Sequence, residues 1–262
     1  MEYSLMQVLT VVVACAIVLG FCALLKQNSP RQYKILAGAT VLTVLASLAL
    51  LLMAVLPYGD FYGNVQNTMA SDKKVVALTF DDGPYPPYTQ ELLKVLAAED
   101  VKATFFMVGA NAAAHPDIVR QVAQAGHAIG VHTLNHVDLL KMDKKQQTYQ
   151  IAVGKLVLHE ITGVEPRLFR PPHGFRDWQI LKIAAGAGLK AVNWSVLSKD
   201  WLNPPPEEIA RRTLEQVKPG SIILLHDGDS PYNKMPRANT VQAVGMIIKE
   251  LKKQGYEFVL LQ

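Results

Sequence analysis

Apolar and polar positions divide the chain into two unlike parts. From Leu5 to Leu25, and again from Ile35 to Leu56, all residues but Gln7 are apolar or small and none is charged. Each run is long enough to cross a hydrocarbon core of ~30 Å as a helix. The pattern therefore predicts a two-helix transmembrane hairpin within residues 1–56, with spans at about 5–25 and 35–56. A cleaved signal peptide fits poorly, because no Lys or Arg precedes Leu5 and a second apolar run follows at once. Residues 57–74 (Pro57, Gly59, Gly63, Asn64, Asn67, Ser71) are polar and turn-rich and read as a linker.

From Val75 to Gln262 short apolar runs alternate with stretches of helical period. The runs predict strands over 75–80, 102–108, 127–131, 167–170, 189–195, 221–226 and 256–261. The helical stretches predict helices over 89–98, 116–125, 144–161, 177–186, 206–217 and 240–254. Strands alternating with helices in this way imply an α/β domain with a parallel sheet, open or closed, over 75–262. No glycine-rich dinucleotide fingerprint is present, since Gly83 is followed by Pro84.

Charge orients the spans. The stretch from Lys26 to Lys34 carries Lys26, Arg31 and Lys34 and no acid, whereas Asp60 and Asp72 follow the second span. The positive-inside rule places loop 26–34 in the cytoplasm and the large domain outside the cell or in the periplasm. The chain as a whole is +4. Half of that excess lies in residues 1–74 and half in the domain, 21 basic against 19 acidic residues, and the domain shows no basic stripe of the kind a nucleic-acid binder carries. Cys15 and Cys22 both fall in the first span, too far apart along one helix for a disulfide. The spans hold no ionisable side chain, which argues against a transport pathway through them.

The candidate chemistry gathers at the carboxyl ends of the predicted strands. In a parallel α/β barrel those ends form the active face. Asp81 and Asp82 follow the first strand, His132 and His136 the third, Arg170 the fourth, and Asp200 comes just after the fifth. His226 and Asp227 end the sixth. Adjacent carboxylates repel and call for a cation. On a turn of helix, His132 and His136 would share a face and reach one ion with Asp82, or they simply cap backbone groups. Asp81 would then be free to act as a general base, oriented by Arg170, although Arg170-Pro171-Pro172 also reads as a rigid structural turn. His226 is either a satisfied core residue or a proton donor facing the same cleft. Asp227 either holds its tautomer or starts a turn with Gly228.

With these motifs in this order, residues 75–262 resemble the NodB-homology polysaccharide deacetylases, carbohydrate esterase family 4. Thr79-Phe80-Asp81-Asp82-Gly83, His132-Thr133-Leu134-Asn135-His136, Arg170-Pro171-Pro172-His173-Gly174, Asp200-Trp201 and Leu224-Leu225-His226 match the five family motifs. The resemblance implies a distorted (β/α) barrel of about seven parallel strands. It implies Asp81 as base, His226 as acid, and Asp82, His132 and His136 as ligands of one divalent metal, zinc first, with cobalt or nickel also suited. It further implies that Arg170 steadies Asp81, that Asp200 pairs with Arg170, and that a backbone amide near His173 holds the oxyanion. Trp201 and Leu224 would line the acetyl pocket. Leu197, where many members have a second acid, and His173, for a frequent tyrosine, depart from the pattern.

The implied activity is metal-dependent hydrolysis of N-acetyl groups on a cell-wall or surface polysaccharide. Peptidoglycan N-acetylglucosamine is the first candidate substrate, and the products are acetate and a free amino sugar. An O-acetyl esterase acting on a xylan-like polymer shares the same cleft chemistry. A catalytically silent wall-binding protein is the third reading, and the intact Asp81, Asp82, His132, His136 and His226 stand against it. The implied partners are an acetylated glycan and the membrane, not nucleic acid.

Overall fold

The computed structural model describes residues 5–25, 30–229 and 234–262. Two long helices, α1 (Leu5–Leu25) and α2 (Pro30–Val55), pack as an antiparallel pair. Both are long and apolar enough to cross a membrane. Large apolar side chains stand exposed along both, among them Ile17, Phe21, Leu42 and Leu45. The second helix begins earlier than the sequence suggests. Arg31 and Lys34, expected in the loop 26–34, lie in its opening turns, and residues 26–29 of that loop lie outside the described residues.

The domain carries strands β1 (Val75–Asp81), β2 (Thr104–Met107), β3 (Ala128–Val131), β4 (Leu168–Phe169), β5 (Lys190–Ala191), β6 (Val196–Leu197), β7 (Ser221–His226) and β8 (Glu257–Phe258). Around them lie α3 (Tyr88–Ala98), α4 (Gly109–Ala114), α5 (Pro116–Gln124), α6 (Lys144–Thr162), α7 (Trp178–Gly186), α8 (Pro206–Leu214) and α9 (Ala238–Lys253). The ladders are parallel, in the order β5-β4-β3-β2-β1-β7-β6, with β8 paired to the start of β1.

The sheet curls until its two edges meet in one segment. The strand expected over 189–195 is two short strands instead: β5 pairs with β4 at one edge and β6 with β7 at the other. Between them the Val192 amide donates to Phe169 (2.9 Å) and the Ser195 amide to Ile222 (3.0 Å). Residues 190–197 thus stitch both edges together and make the predicted distorted barrel.

Alternation along the strands sorts the core into two clusters. Ala77, Phe106, Leu168, Val192, Trp194, Ile222 and Leu224 fill the barrel. Val76, Leu78, Phe80, Phe105, Ile223 and Leu225 face outward and are covered by the helices. Local signals start and stop those helices. Asp143 and Gln146 form a reciprocal capping box at the start of α6, which ends at Gly163 with φ 69°. Helix α4 was not expected, because Gly109-Ala-Asn-Ala-Ala-Ala is too short and too uniform to show a period.

Residues 57–74 are built onto the domain. Gly59 and Gly63, at φ 99° and 145°, let the chain fold back. Tyr62 and Val65 are buried, Gln66 bridges Val192, and Thr68 bridges Ser221. The stretch read as a linker adds backbone pairing at the sheet edge.

Candidate active site

Strand β1 delivers the two carboxylates and then turns sharply. Asp81 is its last residue, and Asp82 sits in the left-handed region at φ 75°, which Asp tolerates better than most residues. The turn is pinned on both sides. The Asp82 amide donates to Phe106 of β2 (3.2 Å), while the Asp227 and Gly228 amides donate to the Asp81 carbonyl (3.2 and 3.3 Å). Asn111 of α4 donates to the carbonyls of Asp82 (2.7 Å) and Asp229 (3.0 Å), tying the two turns together. Gly228 is packed so closely that an added Cβ would lie 2.4 Å from the Asp82 carbonyl group. Gly228→Ala is therefore expected to destabilise the fold by about 1–3 kcal/mol, read as a lowered midpoint of thermal unfolding.

His132 and His136 do not share a helix. They flank a turn in which Thr133 (φ 64°) and His136 (φ 52°) are left-handed. The Thr133 hydroxyl accepts from the His136 amide (3.0 Å). The free amides at the start of α4 close the turn from below, Gly109 donating to Thr133 and Ala110 to Leu134. The rings still converge, with centroids 5.0 Å apart. Nε2 of His132 and of His136 lie 3.3 and 3.1 Å from Asp82 Oδ1.

These ligand atoms lie within 4.8 Å of one another, and the set fits a metal ion. Asp82 Oδ1 is buried without a hydrogen-bond partner. The His132 Nδ1 is 2.7 Å from the Arg170 carbonyl, which fixes that nitrogen as the donor and leaves Nε2 as a ligand. Burial alone would raise the Asp82 carboxyl. The imidazoles packed around it, His132 first, instead hold it well below the usual carboxylate range. Burial pushes the His136 imidazole down to about 4, so it is neutral near pH 7, as a ligand must be.

Asp81 stands beside this cluster with a different partner. Its Oδ1 accepts from Arg170 Nη1 at 2.6 Å, and its Oδ2 is 3.8 Å from His132 Nε2. Arg170 is fully buried. It also donates to Thr79 Oγ1 (2.8 Å) and to the carbonyls of Asn193 (2.8 Å) and Val192 (3.3 Å), and it lies 4.1 Å from the Phe106 ring centroid. A guanidinium held this fully fixes the carboxylate it pairs with.

Asp200 does not pair with Arg170, as the motif reading expected. Its Oδ1 is 2.8 Å from His226 Nδ1, and its Oδ2 accepts from the His226 amide at 2.8 Å. Ser198 (2.8 Å) and Thr240 (3.0 Å) donate to the remaining positions. The reason is topological: β6 runs beside β7, so Asp200 emerges next to His226, while Arg170 lies across the barrel. Asp227, the other candidate for holding the His226 tautomer, turns away. It accepts from Thr89 (2.6 Å) and fills the space beside Gly83. Burial and the neighbouring Asp82 charge push it up to about 7, against the Thr89 hydrogen bond.

Burial alone would lower His226, but the Asp200 charge and hydrogen bond carry it up to about 9. It is therefore protonated near neutrality and loses its proton as pH rises through about 9. Hydrolysis that needs this proton should fall along that limb. Asp200→Asn removes the main raising cause and should move the limb to lower pH, as read from the pH profile of kcat.

The residues expected to bind substrate surround the same space. Asp81 and His226 are register partners on adjacent strands, and Leu224, two residues before His226, shares its face. Trp201 meets His226 edge-on at 5.5 Å, and His173 (φ 60°) meets His136 at 5.1 Å. Together with Trp194 they line a cavity of about 570 Å³. Sequence reasoning missed Asn111, Ser198 and Thr240. Only Ser198, two residues before Asp200 in a turn-forming spacing, carried a local signal.

Known proteins resemble this chain over most of its length. The profile of the polysaccharide deacetylase family matches residues 68–192. A peptidoglycan-N-acetylglucosamine deacetylase of Bacillus cereus is 40% identical over 199 residues, covering 75% of this chain and 91% of its own. A chitooligosaccharide deacetylase of Bradyrhizobium is 34% identical, covering 75% and 90%. Among solved structures, a peptidoglycan N-acetylglucosamine deacetylase in complex with 4-naphthalen-1-yl-N-oxidanyl-benzamide superposes with a TM-score of 0.71 at 36% identity. That match covers 75% of this chain and 90% of the solved one.

Proposed function

The chain belongs to the polysaccharide deacetylase family, and on that premise we propose that it hydrolyses N-acetyl groups on an N-acetylglucosamine polymer of the cell wall or surface. Peptidoglycan is the first candidate, in keeping with the name of the 40%-identical relative. The observation that carries the reading is the division of labour at the end of β1. Asp82 converges with two imidazoles, while the adjacent Asp81 is held apart by Arg170.

Asp82, His132 and His136 would hold one divalent ion, with zinc the best suited to two imidazoles and a carboxylate. Such an ion supplies Lewis acidity and makes water acidic enough to attack an amide near neutral pH. Asp81 takes the proton of the attacking water through Oδ2, its Oδ1 being committed to Arg170. An amide of the His173 loop donates to the developing oxyanion. His226, charged and braced by Asp200, gives its proton to the departing nitrogen. The C–N bond breaks, and acetate and a free amino sugar leave. Leu224 and Trp201 flank the acetyl group.

The two apolar helices serve as a membrane anchor in this reading. Both ends of the chain then lie outside the cytoplasm, with loop 26–34 on the cytoplasmic side.

The full chain incubated with N-acetylated glycans should release acetate and free amine in equal amounts. It should stop after chelation and resume when zinc, cobalt or nickel is returned. Full activity in the chelated protein would refute the mechanism, and release of acetate only from acetylated xylan would make the chain an esterase. Protease added to intact spheroplasts should remove the domain and spare the 26–34 loop.

A further inference from the structure

Two adjacent residues of the domain grip the apolar helix pair by opposite poles. Arg176 is 1% exposed and pairs with no carboxylate within ion-pair distance among the described residues. Its Nη1 donates to the carbonyls of Leu56 (2.6 Å) and Gly174 (3.1 Å), and its Nη2 to those of Gly59 (2.9 Å) and Tyr58 (3.3 Å). Its own amide donates to Ala54 (3.0 Å). Most of these carbonyls belong to the end of α2 and the turn after it, where a helix gathers unpaired acceptors and partial negative charge.

Asp177 does the converse. Its Oδ2 accepts from the Leu5 amide at the start of α1 (2.9 Å), and its Oδ1 caps α7 through the Ile180 amide (2.8 Å). Each charge meets the helix end of opposite polarity. Around this clasp Leu5, Leu9 and Ala54 are buried in the domain's own core cluster, and the Tyr62 hydroxyl donates to Leu50 of α2 (2.5 Å).

The clasp sits directly behind the cleft. Gly174, whose carbonyl Arg176 holds, follows His173 on the loop that carries the proposed oxyanion donor. The same carbonyl accepts from Asn193 Nδ2 (3.4 Å), and the Asn193 carbonyl accepts from Arg170. An added Cβ at Gly174 would lie 2.8 Å from Trp194 in the cavity wall. The turn Leu139–Lys141, which follows the His132–His136 loop, lies against α1. A tether would need only a covalent connection. A buried guanidinium whose hydrogen bonds join helix end to catalytic loop does more than tether.

We propose that the α1–α2 hairpin is a structural member of the active site, and that Arg176 is a positioning residue that fixes the His173 loop against the end of α2. Catalysis then depends on the docked hairpin. The kinetic part rests on the deacetylase reading, whereas the structural part does not.

The test uses the full chain in nanodiscs. Arg176→Gln should lower kcat roughly 10- to 100-fold, the scale of a small misplacement of catalytic groups, with KM within about twofold. Hydrogen–deuterium exchange should quicken at the Gly174 and Phe175 amides, which bond to Pro171 and Pro172. Arg176→Lys, with fewer donors but the same charge, should recover part of both and carries the test should the Gln variant fail to fold. Unchanged exchange at 173–175 would overturn the proposal whatever the rate does. Faster exchange in a chain inactive on every acetylated glycan would uphold the coupling and count against the deacetylase reading instead.

Discussion

Asp81→Asn should lower kcat by roughly 10²- to 10⁴-fold, the usual worth of a general base, while the full chain keeps its metal. Asn has the same shape and can still accept from Arg170, so the loop stays in place. What it cannot do is take a proton. Asp81 Oδ1 is 2.6 Å from the buried guanidinium, which leaves Oδ2 for the proposed proton transfer, so the substitution removes the proposed acceptor. It also leaves Arg170 buried without a counter-charge, and breaking such a pair costs about 3–5 kcal/mol. Acetate release, metal content and thermal unfolding should be read together. A variant that turns over at the wild-type rate would remove Asp81 from the mechanism.

Asp82→Asn should do the opposite to the metal. Asn tolerates the left-handed backbone at φ 75°, so the turn survives, but the anionic ligand is gone. Loss of an outer-shell partner already costs about 10–100-fold in metal affinity, and loss of a direct ligand should cost at least as much. Zinc titration should show that weakening, and hydrolysis should vanish at metal levels that saturate the native chain. Two neighbouring substitutions of the same kind would then separate cleanly, one losing proton transfer with metal bound and the other losing metal. Retention of tight zinc binding by Asp82→Asn would dismantle the proposed ligand set.

Much of the gathering of these residues was legible in the sequence because it follows from chemistry that local motifs display. Two acids after an apolar strand, a histidine pair and an arginine beside two prolines all fell at strand ends. The parallel sheet followed from the alternation of periods. What stayed hidden depended on contacts between distant segments or on backbone conformation. The His132–His136 spacing suggests a helix, yet left-handed residues at Thr133 and His136 make a turn that α4 closes. Asp200 finds His226 because β6 lies beside β7, a neighbour relation no local pattern encodes. The split of the fifth strand has the same origin, since residues 190–197 answer to both edges at once. Residues 57–74 look like a linker by composition, and only their pairing partners, Val192 and Ser221, reveal an added edge.

The doubly bonded segment 190–197 limits how far the cavity can open. It is held to β4 on one side and β7 on the other with only four residues between its strands, so its length sets the girth of the barrel. Trp194 of this segment and Leu224 of β7 both wall the cavity. The space between them cannot widen without giving up ladder bonds at one edge, each of which would be left buried and unpaired. If the chain is the deacetylase proposed above, discrimination between an acetyl and a longer acyl chain would reside in the circumference of the sheet.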